Sequence, residues 1–290
     1  MSQYYAVIEA GGTKFNCAMF DAQHNILSQN RIPTTTPAET LDACIEFFLA
    51  QKQAGLMFSQ LGLACFGPLD LNQNSNNYGY ITKTPKPGWS DTPILARLKN
   101  ALECDVAIDT DVNAAALAES RWGAAKNTQV SVYVTLGTGV GVGVVINGNT
   151  LKGLIHPEAG HMLIPAPEGI EGQCPFHGNC VEGLASGKAL SKIWGRPAET
   201  LEDDHRAWDI QAQVVAKLCH NLLVSYSPQS IVLGGGVMAK PGLLDNVIRY
   251  TETSLQGYLD FPDGVSLSSL ITLPGLGEMS GLKGALGLIL

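Results

Sequence analysis

Runs of apolar residues that end in glycine are the most regular feature of this sequence. YYAVIEA, QLGLACF, QVSVYVTL and SIVL each lead into a glycine or a glycine cluster, and DVAID at 105–109 is a further, mostly apolar run. Runs of this length bounded by glycine predict buried strands that end in tight turns. KFNCAMFD and VGVGVVI follow two of these turns and predict strands that return from them.

Helices are predicted where apolar residues recur three or four positions apart. The segment from Pro37 to Gln51 has this spacing, and alanine-rich Val112 to Trp122 predicts a second helix with Asp111 at or near its N-cap. Further helices are predicted over residues 207–225, after Pro241 and over residues 279–290. The mixture of strands and helices predicts an α/β protein.

Two parts of the chain share one plan. EAGGTKFNCAMF and TLGTGVGVGVVI each read as a buried strand, a glycine–threonine turn and a second buried strand. A weak duplication of this kind suggests two similar halves, each offering one turn. Two unrelated hairpins give the same pattern, and the sequence leaves both explanations open.

Composition narrows the function classes. The chain has 290 residues and a formal net charge of −8, which argues against nucleic acid or an anionic membrane as the main partner. The N-terminal residues do not resemble a secretory signal, and no apolar stretch is long enough to span a bilayer. Seven cysteines spread along a chain of this length do not predict a disulfide framework. We therefore expect a cytoplasmic protein.

Three of the glycine turns have the chemistry of a phosphate or nucleotide site. Gly11, Gly12, Thr13 and Lys14 combine accessible backbone amides, a hydroxyl and a cation. Gly137–Gly139 offers a second turn of this kind, and Gly234–Gly236 offers a third. The spacing of a Walker A loop is absent, so the prediction rests on three turns that each follow a buried strand.

Asp111 is the candidate general base. It stands in DTDVNAAALAE, where a carboxylate at a strand-to-helix junction is well placed to accept a hydroxyl proton. An N-capping aspartate would give the same pattern. Asp109 lies two residues earlier, and spacing alone does not separate the two.

The segment CPFHGNC predicts a metal site. Cys174, His177 and Cys180 follow the spacing C-x2-H-x2-C, and His161 precedes them by 13 residues. Four nitrogen and sulfur ligands suit a closed tetrahedral zinc site. No cysteine pair has the CxxC spacing of a redox motif. His156 is an alternative to His161 as the fourth ligand.

These motifs together resemble the ROK group of sugar kinases and repressors, within the actin-like ATPase superfamily. EAGGTK, TDVNAAALAE, LGTGVG, HPEAGH, CPFHGNCVEGLASG and VLGGGVM occur in the family's order over nearly the whole chain. TPKPGW, DTDVNAAALAE and HPEAGH are similar to the bacterial fructokinase branch. The resemblance implies two RNase H-like domains around a hinged cleft. We expect residues 1–112 with the C-terminal helix 279–290 in one domain, and residues 113–278 with a zinc loop at 156–182 in the other.

The resemblance also implies the site residues. The catalytic base is Asp111, and the zinc is structural. The residues expected to bind sugar are Gly67, Pro68, Asp111, Glu158, His161 and Glu182. The residues expected to bind ATP are Gly11, Gly12, Thr13, Lys14, Gly137, Thr138, Gly139, Lys188, Gly234, Gly235, Gly236, Val237 and Met238. The zinc ligands are His161, Cys174, His177 and Cys180, and ATP brings Mg²⁺.

Two positions depart from the family pattern. Glu9 stands where the family carries an aspartate near the hydrated Mg²⁺. Thr110 stands where glucokinases carry an asparagine whose amide binds a pyranose hydroxyl. A threonine does not reach or donate in the same way, which disfavours glucose.

The expected function is that of an ATP-dependent hexose kinase, with D-fructose and its 6-hydroxyl as the first candidate acceptor. Glucose, mannose and N-acetylmannosamine are alternative acceptors. A sugar sensor or repressor is the alternative from another class, but the first phosphate turn begins by residue 11, which leaves no room before it for a DNA-binding helix-turn-helix. A zinc-dependent hydrolase is a third alternative, but it needs an open coordination position on the metal, and four protein ligands leave none. We expect a homodimer.

Overall fold

The computed structural model describes residues 3–84 and 86–290, so Pro85 of TPKPGW lies outside the described residues. The chain divides into two compact units. Unit 1 comprises residues 1–118, 152–156 and 278–290, and unit 2 comprises residues 119–151 and 157–277. This division differs from the expected boundary at 112/113, and it places 152–156 in unit 1. Two domains that move about a hinge stay a prediction.

Each unit contains one five-stranded sheet. The strands of unit 1 are β1 (Tyr5–Ala10), β2 (Lys14–Phe20), β3 (Ile26–Pro33), β4 (Gln60–Cys65) and β5 (Asp105–Thr110), in the order β3-β2-β1-β4-β5. The strands of unit 2 are β6 (Val130–Leu136), β7 (Val140–Ile146), β8 (Asn149–Thr150), β9 (Ser230–Gly234) and β10 (Ile271–Thr272), in the order β10-β9-β6-β7-β8.

The two sheets have the same topology. In each unit the first strand pairs antiparallel with the second and parallel with the fourth, and the fourth pairs parallel with the fifth. The two glycine–threonine turns noted in the sequence connect β1 to β2 and β6 to β7. The predicted duplication is therefore confirmed by strand order and direction.

Helices connect the strands, and the third helix continues from unit 1 into unit 2. They are α1 (Pro37–Gln53), α2 (Ile94–Leu102), α3 (Asp111–Trp122), α4 (Val181–Ala185), α5 (Gly187–Trp194), α6 (Ala207–Tyr226), α7 (Leu243–Leu255), α8 (Leu267–Leu270) and α9 (Ser280–Gly287). The predicted helices over 37–51, 112–122, 207–225, after Pro241 and near the C-terminus are confirmed, the last as a shorter helix. No helix in the described part of the chain is long and apolar enough to cross a membrane.

The sheet of unit 1 is buried on both faces. Alternate residues of a strand point to opposite faces, and β1 sends Ala6 and Ile8 to a core that also contains side chains of α1 and α2. Tyr5 and Val7 join a second core that contains Leu282 and Leu286 of α9. Burial on both faces explains why the central strands appear in the sequence as continuous apolar runs.

Close approach of α9 to the sheet depends on glycine. A Cβ built on Gly62 of β4 would lie 1.9 Å from the carbonyl oxygen of Ala285, and one built on Gly284 would lie 2.4 Å from the carbonyl carbon of Ala114. Both obstacles are backbone atoms, which a side-chain rotation does not remove. The C-terminal helix therefore packs on unit 1 at a distance that only glycine allows.

We expect Gly62→Ala to lower the free energy of unfolding by about 1–3 kcal/mol or more, because α9 must move to admit the methyl group. Gly153→Ala is the matched control, since the atom nearest to its added Cβ is 3.8 Å away. Urea unfolding of both variants measures the difference. Equal midpoints would contradict the tight contact between β4 and α9.

Candidate functional site

Three predicted segments of unit 1 begin at one edge of its sheet. The parallel strands β1, β4 and β5 are in register at their carboxyl ends, where Ala10 lies opposite Cys65 and Cys65 lies opposite Thr110. The Gly11–Lys14 turn and Asp111 follow directly along the chain, and the Gly67–Pro68 segment follows after Phe66. Loops that follow adjacent parallel strands form binding crevices in α/β proteins, and this edge brings together every predicted site residue of unit 1.

The Gly11–Lys14 turn is held through its carbonyl groups. The hydroxyl of Thr34 donates to the carbonyl oxygen of Gly11 at 2.8 Å, and the Thr34 amide donates to that of Thr13 at 3.0 Å. Lys86 Nζ donates to the carbonyl oxygen of Gly12 at 2.7 Å. With these acceptors bound inside the unit, the exposed side of the turn presents Thr13 and Lys14, as an anion site requires.

Glu9 lies one residue before the end of β1, and its carboxylate is fixed. Asn16 Nδ2 on β2 donates to Glu9 Oε2 at 2.8 Å. The other oxygen, Oε1, lies against Gly281 of α9, where an added Cβ would be only 2.0 Å away. The residue that departs from the family pattern is thus accommodated by a glycine that leaves room for its longer side chain.

Asp109 is a fully buried structural carboxylate. Its Oδ1 accepts from the Thr110 amide and from Asn113 Nδ2, both at 2.8 Å, and its Oδ2 lies 3.2 Å from Lys152 Nζ. A buried charge is stable only when its oxygens are satisfied in this way. Because these donors occupy both oxygens and water does not reach them, Asp109 is poorly placed to take a substrate proton.

Asp111 is the half-buried first residue of α3. Thr110 caps this helix, since its hydroxyl oxygen accepts from the Asn113 amide at 3.1 Å. Burial raises the pKa of the Cys65 thiol well above its ordinary value, and the nearby negative charge of Asp111 raises it further. Asp111 follows Thr110, which lies opposite Cys65 at the end of β4, and it is half-buried where Asp109 is fully buried.

The nucleotide-type turns of unit 2 also share one edge. β6 and β9 are parallel, with Thr135 opposite Gly234, so Gly137–Gly139 and Gly235–Met238 follow neighbouring strand ends. Gly235 has φ +88°, a conformation that disfavours other residues, and its Cβ would lie 2.3 Å from the carbonyl oxygen of Leu136. The backbone of Gly235 thus lies directly against Leu136, the residue that precedes the Gly137–Gly139 turn.

The Gly137–Gly139 turn is held from two helices. The Gly187 amide at the start of α5 donates to the Gly137 carbonyl oxygen at 2.7 Å. Glu182 Oε2 on α4 accepts from the Val140 amide at 3.0 Å, and a Cβ on Gly139 would lie 2.6 Å from that oxygen. Lys188, predicted to contact nucleotide, is the exposed second residue of α5.

The four predicted metal ligands converge in unit 2. One ligand atom from each of His161, Cys174, His177 and Cys180 lies within 4.8 Å of the other three. Cys174 Sγ lies 3.9 Å from His161 Nδ1 and 3.6 Å from His177 Nδ1, and Cys180 Sγ lies 3.5 Å from His161 Nδ1. Zinc–ligand bonds of about 2.3 Å to sulfur and 2.1 Å to nitrogen give tetrahedral edges of about 3.6 Å, so the donor set fits that ion.

Cys180 links the cluster to α4. Its sulfur is the N-cap acceptor for the Gly183 amide at 3.4 Å. Burial raises the pKa of the Cys180 thiol to about 11, so an ion that binds there must displace a proton. Since Glu182 is only two residues further on, the cluster and the Glu182 carboxylate are joined by one turn of helix.

The remaining predicted sugar residues lie in a short turn beside this cluster. Glu158 and His161 belong to one 3-10 turn, where the His161 amide donates to the Glu158 carbonyl oxygen at 2.9 Å. His156, the alternative metal ligand, is placed elsewhere. It belongs to unit 1, and its Nε2 accepts from the Leu69 amide at 3.2 Å. The histidine of the metal cluster is therefore His161.

Sequence reasoning missed several polar residues that hold these segments. Lys86, Lys152 and Asn113 each bind a site segment through a contact described above. Glu119 is fully buried, and its carboxylate accepts from the amides of Ala124, Gly275 and Leu276. Only Asn113 carried a local signal, since it lies four residues after Asp109 and can face it across the first helical turn.

Comparison with known proteins identifies the family. The model of the ROK family matches residues 5–290. The chain belongs to the ROK family. The predicted α/β fold of the actin-like ATPase class is confirmed by solved structures of ROK proteins.

Individual ROK relatives cover almost the full chain. A fructokinase from Zymomonas mobilis is 46% identical over 99% of this chain and 96% of its own length. A fructokinase from Lactococcus lactis is 40% identical over 96% of this chain and 93% of its own length. The structure of a ROK hexokinase from Thermus thermophilus has a TM-score of 0.78 and 29% identity, over 99% of this chain and 97% of that one.

Replacement of Asp109 is expected to lower the free energy of unfolding more than replacement of Asp111. Asp109→Asn keeps the volume but removes the charge and replaces one of the two acceptor oxygens by an NH₂ donor, so that either Lys152 or the donors at Oδ1 lose their acceptor. This should cost about 1–3 kcal/mol. Asp111→Asn should cost less than about 1 kcal/mol, because a charge in the first turn of a helix contributes little more than that. Thermal unfolding monitored by circular dichroism tests this. Equal losses would contradict the structural role of Asp109.

Proposed function

We propose that the protein is an ATP-dependent fructokinase that transfers the γ-phosphoryl group of ATP to the 6-hydroxyl of D-fructose. The observation that carries this proposal is 40–46% identity to fructokinases over nearly the whole chain. The arrangement of the sheet edges supports it, because each unit places phosphate-type turns and polar side chains at the carboxyl ends of parallel strands.

Asp111 is the proposed general base. The 6-hydroxyl oxygen forms a bond to the γ-phosphorus as the bond from that phosphorus to the β–γ bridging oxygen breaks, and ADP leaves. The hydroxyl proton passes to an Asp111 carboxylate oxygen. Phosphoryl transfer needs little covalent help beyond such positioning and charge neutralisation. The half-buried position of Asp111, one residue beyond the end of β5, favours it over the fully buried Asp109.

The proposed ATP contacts are divided between the turns. Gly11–Lys14 and Gly137–Gly139 supply amides, hydroxyls and the Lys14 cation to the phosphates, and Lys188 adds a second cation. Gly234–Met238 faces the adenosine. Mg²⁺ bound to ATP neutralises charge that develops on the phosphates, and the fixed Glu9 carboxylate is the acidic group of the first turn that would face its water ligands.

Thr110 supports fructose over glucose. Its side chain is buried, and its hydroxyl oxygen is used as the cap of α3. It therefore does not offer a pyranose the amide donor expected of an asparagine at this position. Selectivity for fructose is consistent with this difference.

We also propose that His161, Cys174, His177 and Cys180 bind one structural zinc ion. Four protein ligands leave no open coordination position, so the ion would hold the loop and not act on the substrate. With Nδ1 of His161 on the metal side, its Nε2 is available to a sugar hydroxyl together with Glu158 and Glu182. A cytoplasmic homodimer stays a prediction.

A coupled assay of ADP release tests the proposed activity. We expect kcat/KM for fructose to exceed that for glucose, mannose and N-acetylmannosamine by about tenfold or more, since one unmatched hydroxyl-binding group costs that much. A product analysis should place the phosphate on the 6-hydroxyl. A higher kcat/KM for any other sugar would overturn the choice of fructose.

Replacement of the base gives a second test. Asp111→Asn removes the proton acceptor and should lower kcat by about a hundredfold or more, with little change in ATP binding. Asp105→Asn, at the exposed opposite end of β5, is the control and should keep normal turnover. Near-normal kcat in Asp111→Asn would remove the base from this position.

Metal analysis tests the zinc site. Protein purified without chelator should contain about one zinc per chain, and Cys174→Ser should lose it because a hydroxyl is a poorer ligand than a thiolate. Cys104→Ser is the control, a thiol of unit 1 outside the cluster. Loss of zinc should raise KM for the sugar strongly, because Glu158, His161 and Glu182 adjoin the loop. Unchanged sugar binding in the metal-free protein would contradict this role.

A further inference from the structure

Residues 152–156 belong to unit 1, although the residues on both sides of them belong to unit 2. Polar contacts attach this short segment at both of its ends. Lys152 Nζ lies 3.2 Å from Asp109 Oδ2, and His156 Nε2 accepts from the Leu69 amide at 3.2 Å. Between them, Leu154 and Ile155 are exposed at 95% and 65%. Apolar burial of the intervening side chains therefore does not hold the segment, and its polar ends do.

The Lys152 end reaches the strand that leads to the proposed base. Asp109 is fully buried, and the same carboxylate binds the Thr110 amide and the Asn113 side chain. Thr110 and Asn113 form the first turn of α3, from which Asp111 projects. The Lys152 ammonium group therefore compensates the buried negative charge of Asp109, the carboxylate that fixes this turn. The Lys152 side chain itself is 47% exposed.

The His156 end reaches the proposed sugar wall. His156 is 5% exposed, and its Cε1 lies 3.7 Å from where a Cβ on Gly67 would stand. Pro68 has no amide hydrogen, so the Leu69 amide is the first backbone donor after this wall. On the other side, the Thr82 amide and hydroxyl donate to the Pro68 carbonyl oxygen at 2.8 and 3.1 Å. Gly67–Pro68 is thus held between Thr82 and His156.

The direction of the hydrogen bond between His156 and Leu69 makes Nε2 of the ring the acceptor. A backbone N–H only donates, so Nε2 must present its lone pair. A replacement that is to keep this contact must therefore offer an acceptor at the same place. Removing this acceptor would leave a buried amide without its partner, a loss that ordinary packing does not replace.

We propose that His156 is a positioning residue for the sugar site, which sets the Gly67–Pro68 wall through the Leu69 amide, with Lys152 as the second attachment of the same segment. This inference rests on the proposed sugar kinase activity. It gives residues 152–156 a role in sugar affinity although none of them is among the proposed ATP-binding residues or is the proposed base. The segment acts on substrate only through Gly67, Pro68 and Asp111.

Two replacements of His156 separate positioning from packing. Gln offers a carbonyl Oε1 at about the reach of Nε2, whereas Leu has a similar volume and no acceptor. We expect His156→Leu to raise KM for fructose about tenfold, with KM for ATP within about twofold of wild type. His156→Gln should recover most of the loss. A purely structural role would move both KM values together and would not respond to the acceptor.

Hydrogen exchange supplies a readout that does not need activity. Mass spectrometry of the peptide covering residues 66–72 should show faster exchange in His156→Leu and near wild-type exchange in His156→Gln. Lys152→Met should loosen the same segment, and Lys152→Arg should retain it. If His156→Leu does not fold, the comparison of wild type with His156→Gln and Lys152→Met still decides whether the segment is held by these contacts.

The outcomes are distinguishable. Unchanged exchange at 66–72 in His156→Leu and Lys152→Met would overturn the attachment itself. Faster exchange with an unchanged sugar KM would overturn the positioning role and leave the attachment. A wild-type enzyme that phosphorylates none of the tested sugars would overturn the proposed function, and the role of His156 in sugar affinity with it, whatever the exchange data show.

Discussion

Pairing of the buried backbone is the constraint on which both candidate site edges depend. Strands that are buried on both faces must satisfy every amide and carbonyl group through their neighbours, because no water reaches them. In unit 1, β1, β4 and β5 satisfy each other's backbone groups as a parallel ladder that is in register to a shared end. Because these strands end at the same edge of the sheet, the segments that follow them begin side by side. The backbone pairing alone is enough to bring these segments together.

The same ladder in unit 2 carries different chemistry. Equivalent strands lead into a phosphate-type turn after β6 and a glycine cluster after β9. The loop after β10 is bound through its amides to the buried Glu119, whereas the equivalent strand of unit 1 leads to Asp111. The two units thus share the scaffold and the glycine–threonine turn after the first strand, while the residues beyond their fifth strands differ. The comparison explains why the two halves show only a short common pattern in the sequence.

The features that could be predicted from the sequence are those whose pattern lies within a short stretch of the chain. β4, β5 and α3 were predictable because burial makes their apolar pattern continuous or periodic. The four metal ligands were predictable because three of them follow one short, regular spacing. β3 was not predicted, since it is an edge strand whose residues are mostly exposed. The contacts of Lys152 with Asp109 and of His156 with Leu69 join residues that are far apart in the chain, and no local pattern reports such pairs.

The position of helix α3 depends on buried carboxylates as well as on its apolar pattern. Its alanine-rich sequence specifies a helix but little about its rotation or its axial position, because small side chains allow many packings. Asp109, two residues before the start of α3, and Glu119, in its last turn, each accept several hydrogen bonds within their own units. A carboxylate that must satisfy both oxygens tolerates little displacement. The position of Asp111 therefore depends on Asp109, two residues away. Asp111 is the proposed base, and Asp109, which has no proposed part in phosphoryl transfer, holds it in place.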